Sequence, residues 1–525
     1  MFRKLIFPLI FDALIGVARL AYGQIQPTNP DSALQIILSH LEGTSLSLTD
    51  AMKYGLQNAT SVRTAEATYL AARGAARREA GGFDPELFFA LNHLDQELPT
   101  ASFFSGAPVL STTQTITSGG LRMELPIGTN IEASLSTLRL KTNSAFAFLN
   151  PQYTAFGSLS FRQPLLGGLH ISARKQARKA DQEMEAAKAR YDQEVLAIST
   201  EAEHGYWDLY AVERDYAVQK LTRDRAEAFL RETELRAKTG LIGPNQVANA
   251  RTFLAEQEIL LLDREEQLDR LSDQLASLIG TRPDAGQRRF ITIDDPPAEF
   301  PLEDVDALVQ QAIQNNLDLQ AAKADVEAKR TLSSAAFWEA LPSVNLVGSL
   351  GGSGLLGTLQ DVSFGDTTYR APSDRQGQFG DVISQAVKRE FPSWSVGVEV
   401  NIPIALRSGL GEKERLEAEV MMAEQQYIQQ ARILEERARS AYRELSHGKQ
   451  RLIAAREGVD AAQEQVRIGL IEFQNGLSTA FELVRLGADF AVAQQRYSQA
   501  LVRGAKAAAT LRQLTSGEYK SGAVR

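Results

Sequence analysis

Residues 184–216 read MEAAKARYDQEVLAISTEAEHGYWDLYAVERDY, within a longer stretch from Ser172 to Gly240 that contains no proline. Small and apolar residues recur there at spacings that alternate between three and four almost throughout, which is typical of a coiled-coil seam. The seam consists of Met184, Ala187, Tyr191, Val195, Ile198, Ala202, Gly205, Leu209, Val212 and Tyr216. At about 1.5 Å per residue, one helix over this stretch would be on the order of 100 Å long. The pattern therefore predicts a helix longer than any in an ordinary globular domain.

The same seam returns in the second half of the chain. Its members there are Val420, Ala423, Tyr427, Ala431, Leu434, Ala438, Ala441, Leu445, Gly448 and Leu452. Each follows its counterpart at one constant offset in the numbering (420 − 184, 452 − 216), and Gly476 follows Gly240 at the same offset (476 − 240). A repeat of this kind predicts an internally duplicated protein.

Composition excludes several classes of site. The chain has 525 residues, a net charge of −9 and no cysteine. Disulfides, thiolate metal sites, cysteine nucleophiles and lipid attachment at cysteine are therefore excluded. No basic stripe is present, which argues against nucleic acid as a partner.

Segment boundaries follow from charge, proline and glycine. Residues 1–23 are typical of a signal peptide, with Arg3 and Lys4 before an apolar run; a buried N-terminal helix is the alternative. We expect a polar linker over 24–46, a first repeat over 47–290, a connector over 291–301, a second repeat over 302–516 and a tail over 517–525. Each repeat is predicted to contain a helix, a strand, an outer loop, a second strand, the long helix and a returning helix.

The predicted helices before the strands run over 47–80 and 303–340, and a glycine-rich loop is predicted over 351–393. Strands starting near Glu86, Tyr153, Ser343 and Trp394 alternate apolar and polar residues. Their length of about 9–11 residues is that needed to cross a bilayer at a tilt. A further hairpin, Leu121 to Leu138, is predicted to lie outside the main set of strands.

Four such strands cannot close a barrel, and an open edge in lipid leaves backbone groups unpaired at several kcal/mol each. Several chains must then share one barrel; three would supply twelve strands (3 × 4) and two would supply eight. The two shorter helices of each half together match the long one, which predicts a rod of coiled helices. The turns at Gly240 and Gly476 would form one end and the strands the other. The predicted fold is mainly α with β: a long antiparallel coiled-coil helical barrel plus a shared transmembrane antiparallel β-barrel.

Short motifs support a family resemblance. They are Gln163-Pro164-Leu165-Leu166-Gly167-Gly168, Tyr206, Tyr442, Thr239-Gly240-Leu241, Val247-Ala248-Asn249-Ala250-Arg251 and Asn475-Gly476-Leu477-Ser478-Thr479. In this order and with the duplication, the chain resembles the TolC-like outer membrane efflux proteins. The resemblance implies an outer-membrane homotrimer with a twelve-stranded barrel in the lipid and a helical tunnel through the periplasm. It also implies docking on a periplasmic adaptor of an inner-membrane pump or secretion ATPase.

The resemblance also assigns site residues at the helix turns. Gly240, Leu241, Gly476, Leu477 and Ser478 would form the adaptor-docking tips. Glu482 would form a carboxylate ring at the narrowest point, with an ordinary exposed helix residue as the alternative. Arg485 stands where the family's members carry an acid, close enough to pair with Glu482. Gln246 stands for an Asp of the gate, and Phe473 and Ser478 replace a Tyr and an Arg.

No catalytic, cofactor or metal site is predicted. The five histidines are scattered without ligand spacing, and neither a phosphate loop nor a nucleophile elbow is present. The favoured function is a passive export duct of a tripartite efflux or type I secretion system. The alternatives are a structural coiled-coil protein of the cell envelope without transport activity and a soluble rod-like adaptor. Drugs, metal ions and polypeptides all remain open as cargo.

Overall fold

The computed structural model describes residues 30–102, 105–168, 170–240, 242–302, 304–370, 372–404, 406–475, 477–517 and 519, so the predicted signal peptide lies outside it. The helices are α1 Pro30–Ser39, α2 Leu48–Asn58, α3 Thr60–Ala80, α4 His170–Ala173, α5 Lys175–Lys238, α6 Pro244–Ile279, α7 Val305–Asn315, α8 Leu317–Glu339, α9 Phe379–Lys388, α10 Arg407–Gln474 and α11 Ala480–Leu514. The strands are β1 Thr44–Leu46, β2 Glu86–Pro99, β3 Val109–Glu124, β4 Asn130–Thr142, β5 Leu149–Leu166, β6 Phe290–Thr292, β7 Ser343–Leu359, β8 Asp361–Phe364, β9 Thr367–Arg370 and β10 Phe391–Asn401. Of the helices described, none combines the length and the apolar composition that a membrane crossing requires.

The chain divides into two compact units. A helical unit contains residues up to 63, 193–316 and 433 onward, and a sheet unit contains 64–192 and 317–432. The long helices α5 and α10 each contribute to both units.

The element boundaries confirm the duplication. Helix α11 follows α6 at the same offset as the seam (480 − 244 between their first residues), and α10 follows α5 at that offset too (474 − 238 between their last residues). Helices α7 and α8 follow α2 and α3 at a second shared offset (305 − 48, 317 − 60). Both halves therefore repeat one helix plan.

Each helix predicted to precede a strand is two helices. The chain leaves helical geometry at Ala59 (ψ 125°) and at Asn316 (ψ 125°). Side-chain amides fix both breaks, because Asn58 donates to Ile279 O (3.1 Å) and Asn316 donates to Leu514 O (3.3 Å). The helical spacing persists across each break, so the pattern alone could not show it.

Most of the predicted linker that the structure describes is ordered secondary structure. It contains α1 and β1, and β1 pairs in parallel with β6 from the predicted connector. Leu46 and Phe290, one from each strand, are buried in the core of the helical unit. Strands of three residues are too short to show alternation, which explains the wrong prediction.

A six-stranded antiparallel sheet, in the order β10-β7-β5-β4-β3-β2, forms most of the sheet unit. The hairpin predicted to lie outside the main strands is part of this sheet, because β3 and β4 lie between β2 and β5. Strand β2 pairs with β3 along the whole length of β2, which sequence alternation does not reveal. The prediction of an external hairpin was therefore wrong.

The register places residues of one kind on each face of the sheet. A continuous row crosses all six strands on the apolar face: Leu87, Leu121, Ala133, Leu159, Leu350 and Trp394. On the opposite face Glu86 pairs with Arg122 and Arg162 with Glu399, each at 2.8 Å. Trp394 is 74% exposed and Leu87 is 82% exposed, so the residues that the structure describes leave the apolar face uncovered at both ends of this row.

The predicted loop 351–393 is largely ordered. Strand β7 continues to Leu359, β8 and β9 form a hairpin, and α9 packs on the sheet. Glycines in β7 allow this close packing, because a Cβ at Gly352 would meet Ala386 O at 2.3 Å and one at Gly354 would meet Val382 O at 2.4 Å. The glycines that indicated a loop are thus the surface on which a helix rests.

Candidate functional site

The first helix turn, between α5 and α6, depends on two glycines. Gly240 has φ +78°, a conformation that glycine adopts without penalty, and its N–H donates to Ala237 O (3.0 Å). No heavy atom lies within 4 Å of the position of a Cβ at Gly240. Gly243 caps α6, with Pro244 as its first residue. Leu241 lies outside the described residues.

The second turn, between α10 and α11, uses side-chain hydrogen bonds. Asn475 Nδ2 donates to Ile471 O (2.9 Å), and Thr479 Oγ1 accepts from the N–H of Glu482 (3.3 Å) as the cap of α11. Leu477 is 80% exposed. Gly476 lies outside the described residues.

The predicted pore residues take equivalent places in the two turns. Gln246 and Glu482 are the third residues of α6 and α11, separated by the offset of the duplication (482 − 246), and both are exposed. The Glu482 carboxylate accepts from Ser478 Oγ at 3.3 Å. Arg485 is exposed and, among the described residues, forms no ion pair with Glu482. In this chain the carboxylate bonds back to the turn, and the effect of Arg485 on a Glu482 ring stays a prediction.

Contacts that sequence reasoning missed connect the two helix hairpins near their turns. The Arg236 guanidinium lies 5.4 Å from the centre of the Phe473 ring, and the rings of Phe229 and Phe481 are 6.3 Å apart. Helix α5 therefore contacts both helices of the second hairpin. Phe473, which replaces a gate tyrosine in the resemblance, takes part in this contact.

A partly buried arginine adds a third contact between the hairpins. Arg225 Nη1 donates to Gly487 O at 3.3 Å, and a Cβ at Gly487 would lie 2.8 Å from that nitrogen. Burial lowers the pKa of Arg225 from its usual value. Gly487 thus allows the guanidinium to approach the backbone of α11.

Tyr206, one of the residues of the family resemblance, anchors the strand β6. Its hydroxyl accepts from the N–H groups of Ile293 (3.0 Å) and Asp294 (2.9 Å), and burial raises its pKa. It also lies 3.1 Å from Leu46 O in β1. Its counterpart in the second half, Tyr442, is only partly buried.

Glu213 is the buried carboxylate of the same region. It accepts from the N–H (2.8 Å) and Oγ1 (2.6 Å) of Thr292. Burial raises the pKa of Glu213 to about 7, against the hydrogen bonds from Thr292 and the charges of Arg214 and Arg289, which lower it. The carboxylate therefore titrates near neutral pH while it holds β6 against α5.

Metal ligation has no candidate in the part of the chain that the structure describes. No group of three or more His, Asp or Glu side chains there could hold an ion. The chemistry at the turns is that of exposed backbone and of exposed charged side chains of both signs, among them Glu482 and Arg485, which suits protein contacts and ion attraction.

Residues 308–517 match the family model described as Outer membrane efflux protein. This part, which is less than half of the chain, is similar to the outer membrane efflux protein family. The match contains α11 and the second turn, and the resemblance drawn from the motifs is confirmed. The first half carries the same helix plan by duplication.

Solved structures extend the similarity of this efflux protein fold to most of the chain. The CmeC outer membrane channel of Campylobacter jejuni is 13% identical with a TM-score of 0.61, over 91% of this chain and 87% of that one. VceC of Vibrio cholerae is 17% identical with a TM-score of 0.60, over 90% and 97%. The open state of MtrE from Neisseria gonorrhoeae is 15% identical with a TM-score of 0.59, over 90% and 89%. At these identities the likeness shows the fold, which is that of outer membrane channels.

Among curated proteins, none matches the sequence.

Glu213→Gln should raise stability at alkaline pH and leave it nearly unchanged at acidic pH. The folded pKa of about 7 lies above the ordinary 4.5, so the native state binds this proton more tightly. The stability that protonated Glu213 contributes is fully present below about pH 4.5 and is lost as the pH rises through about 7. The amide cannot ionise, and its advantage should reach about 2–3 kcal/mol above about pH 8. Thermal unfolding, followed by far-UV circular dichroism below about pH 4.5 and above about pH 8, measures this difference in stability.

The matched control is Glu457→Gln, an exposed carboxyl on α10, which should change stability equally little at both pH values. A Glu213→Gln effect independent of pH would show that Glu213 does not titrate in this range.

Proposed function

We propose that this protein is the outer membrane channel of a tripartite efflux or type I secretion system, a passive trimeric duct across the periplasm and outer membrane. The observation that carries the proposal is the pair of duplicated helix hairpins joined to a sheet with one exposed apolar face. The match of residues 308–517 to the efflux protein family model and the fold of outer membrane channels support it. A structural coiled-coil protein would have no need of the sheet.

The sheet supports a trimer that shares its strands. Strands β2 and β10 form its two edges, and edge strands in lipid need partners for their backbone groups. Three copies would supply eighteen strands (3 × 6) in place of the twelve expected from the sequence. Barrels of about 16–18 strands leave an aqueous channel, which suits the charged face with Glu86, Arg122, Arg162 and Glu399 as its lining.

Purified protein in detergent should have the mass of three chains, and should form conducting pores in planar bilayers. Native mass measurement and single-channel recording test these two points on one sample. A stable monomer would contradict the shared sheet. A trimer that never conducts would favour the structural alternative.

The two helix turns suit docking of a periplasmic adaptor. Gly240 stands in open space, Leu477 is almost fully exposed, and Ser478 follows it. We propose these residues, with Leu241 and Gly476 at the equivalent places, as the surface that meets the adaptor of an inner-membrane pump. Both turns would take part, since the duplication gives each hairpin the same end.

Gly240→Val should abolish export while the trimer still inserts in the membrane. A β-branched residue cannot hold φ +78° without strain, so the turn must change shape. Gly243→Ala is the matched control, because Gly243 has φ −83° and is also in open space. Cargo export from cells, beside heat-stable trimer on gels, measures both; wild-type export by Gly240→Val would place docking elsewhere.

The pore ring would alternate in charge around the axis. In a trimer Glu482 occurs three times, and the equivalent positions of the first hairpins carry neutral Gln246. Three carboxylates brought together attract cations. Arg485, one turn further along α11, lowers that attraction without pairing directly. The contacts of Arg225, Phe229 and Arg236 would hold the hairpins together when the duct is closed.

Glu482→Gln should lower the cation preference of the pore, and Arg485→Asp should raise it. Gln246→Glu is the matched test, since it adds a carboxylate at the equivalent place and should also raise the preference. The reversal potential in a salt gradient across a planar bilayer reports all three. If none of these changes moves it, Glu482 is an ordinary residue of a wetted helix face.

A further inference from the structure

Helix α9 lies on the apolar face of the sheet, the face that the proposed function turns toward lipid. Val382 and Ala386 of the helix are buried against Ala155 and Leu356 of the strands. Ala155 shares its face with Leu159, and Leu356 shares its face with Leu350, because strand side chains alternate. The helix therefore covers part of the same face that exposes Trp394 and Phe89 elsewhere.

The number of residues from the start of each strand shows how far along the strands α9 lies on that face. Strands β2, β4 and β7 run in the same direction, so their first residues lie at the same end of the sheet. Asp95, Arg139 and Gly352 each lie nine positions from the start of their strand (95 − 86, 139 − 130, 352 − 343). A tilted strand crosses the apolar layer in about 9–11 residues, so this level is its far boundary. The C-terminal end of α9 lies at that level, since Ala386 O meets Gly352.

On strands β2 and β4 the apolar residues of this face stop at or before the same level. On β2, Leu87, Phe89 and Leu91 are exposed on this face and are followed by His93 and Asp95. On β4, Leu135 and Thr137 are followed by Arg139 and Lys141, both exposed. Aromatic rings gather here as well: Tyr153, which pairs with Arg139, packs edge-to-face on Phe379 at 5.9 Å. Rings and cations of this kind mark the lipid–water interface of membrane proteins.

The helix itself has three stripes at helical spacing. Val382 and Ala386 face the sheet. One flank is apolar and contains Phe379, Ile383 and Val387; the other is polar and contains Asp381, Gln385 and Lys388. Phe379 contacts Tyr153, and Ile383 packs partly against the sheet, but Val387 is 68% exposed and Phe379 is still 41% exposed. The outer part of the apolar flank is therefore left uncovered by the described residues. A helix with one apolar and one charged flank suits the plane between acyl chains and headgroups.

We propose that α9 is a membrane-interface helix on the outside of the sheet, with its apolar flank against lipid and with Lys388 and Arg139 at the lipid phosphates. Neither cation forms an ion pair within the described ranges. The proposal rests on the proposed function, because the apolar face must lie in a bilayer. Gly352 and Gly354 form a glycine surface on β7, and α9 packs directly on it. Because these glycines have no side chains, α9 covers a part of the sheet that would otherwise contact lipid.

Single-cysteine variants can measure this directly, because the chain has no cysteine of its own. A nitroxide label on Val387→Cys in vesicles of phosphatidylcholine and phosphatidylglycerol should be several-fold more accessible to oxygen than to a polar nickel complex. Phe89→Cys is the lipid control on the sheet, and Asp366→Cys, in the turn between β8 and β9, is the water control. A Val387 label that matches the water control, or that neither reagent reaches, overturns the proposal.

The controls separate this inference from the proposed function. If the Phe89 label is reached by the nickel complex, the sheet is not in lipid, and the channel proposal fails as well. If Phe89 behaves as lipid-exposed and Val387 does not, only the interface helix is wrong.

A second pair of variants tests whether the glycine surface positions α9. Gly352→Ala would place a Cβ against Ala386 O and should displace the helix, so that the Val387 label loses its oxygen preference. Gly157→Ala is the matched control: Gly157 pairs with Gly352 across the strands, and its Cβ would have only ordinary contacts, at 3.8 and 3.9 Å. Equal accessibility in both variants would show that α9 does not depend on this surface.

Discussion

The architecture depends on an apolar-faced sheet whose two edges are unpaired. Strands β2 and β10 present rows of backbone N–H and C=O groups that have no partner strand within the sheet. In water such edges invite aggregation, and in lipid their unpaired groups are costly. The proposed trimer would remove this cost, because further copies of the sheet would pair with both edges. The duplication reduces the number of unpaired edges, because strands from both halves of the chain join in one sheet. Each half also supplies one hairpin of long helices. The helices need no such closure because their backbone bonds are internal.

Much of this fold could be predicted because long helices and a repeat leave strong periodic signals. The constant offset between the two seams located both turns, and it held for the boundaries of α6 and α11. The sheet was harder. Alternation located β10 and part of β7, but whether β3 and β4 enter the sheet depends on pairing with β2 and β5, which no local pattern encodes. The glycines in 351–393 predict a loop from the sequence, whereas Gly352 and Gly354 allow a helix to pack closely on β7.

At the turns the sequence located the residues but not their partners. Gln246 and Glu482 were found from family likeness, and the duplication explains why they are equivalent. The bond from Ser478 to Glu482 was missed because helix spacing favoured Arg485, whereas the capped start of α11 turns the carboxylate back. Contacts between α5 and the second hairpin join residues far apart in the chain, such as Arg225 and Gly487. They follow no period, so only the folded chain shows them.

The two halves have the same helix plan but different side chains. This difference determines whether the hairpins of a trimer could be equivalent. Tyr206 and Glu213 hold β6 through a buried polar network, while the counterpart Tyr442 is only partly buried. A buried carboxylate is tolerated only where hydrogen bonds compensate for lost water, so the first half cannot exchange places with the second. Six hairpins in a trimer would therefore surround the axis as three pairs, not as six equals. In the proposed trimer, charge at the turns would follow the same rule, because Glu482 and neutral Gln246 take equivalent places. Such a duct would keep the packing advantage of near six-fold repetition while it places a carboxylate at only one of the two equivalent positions in each chain.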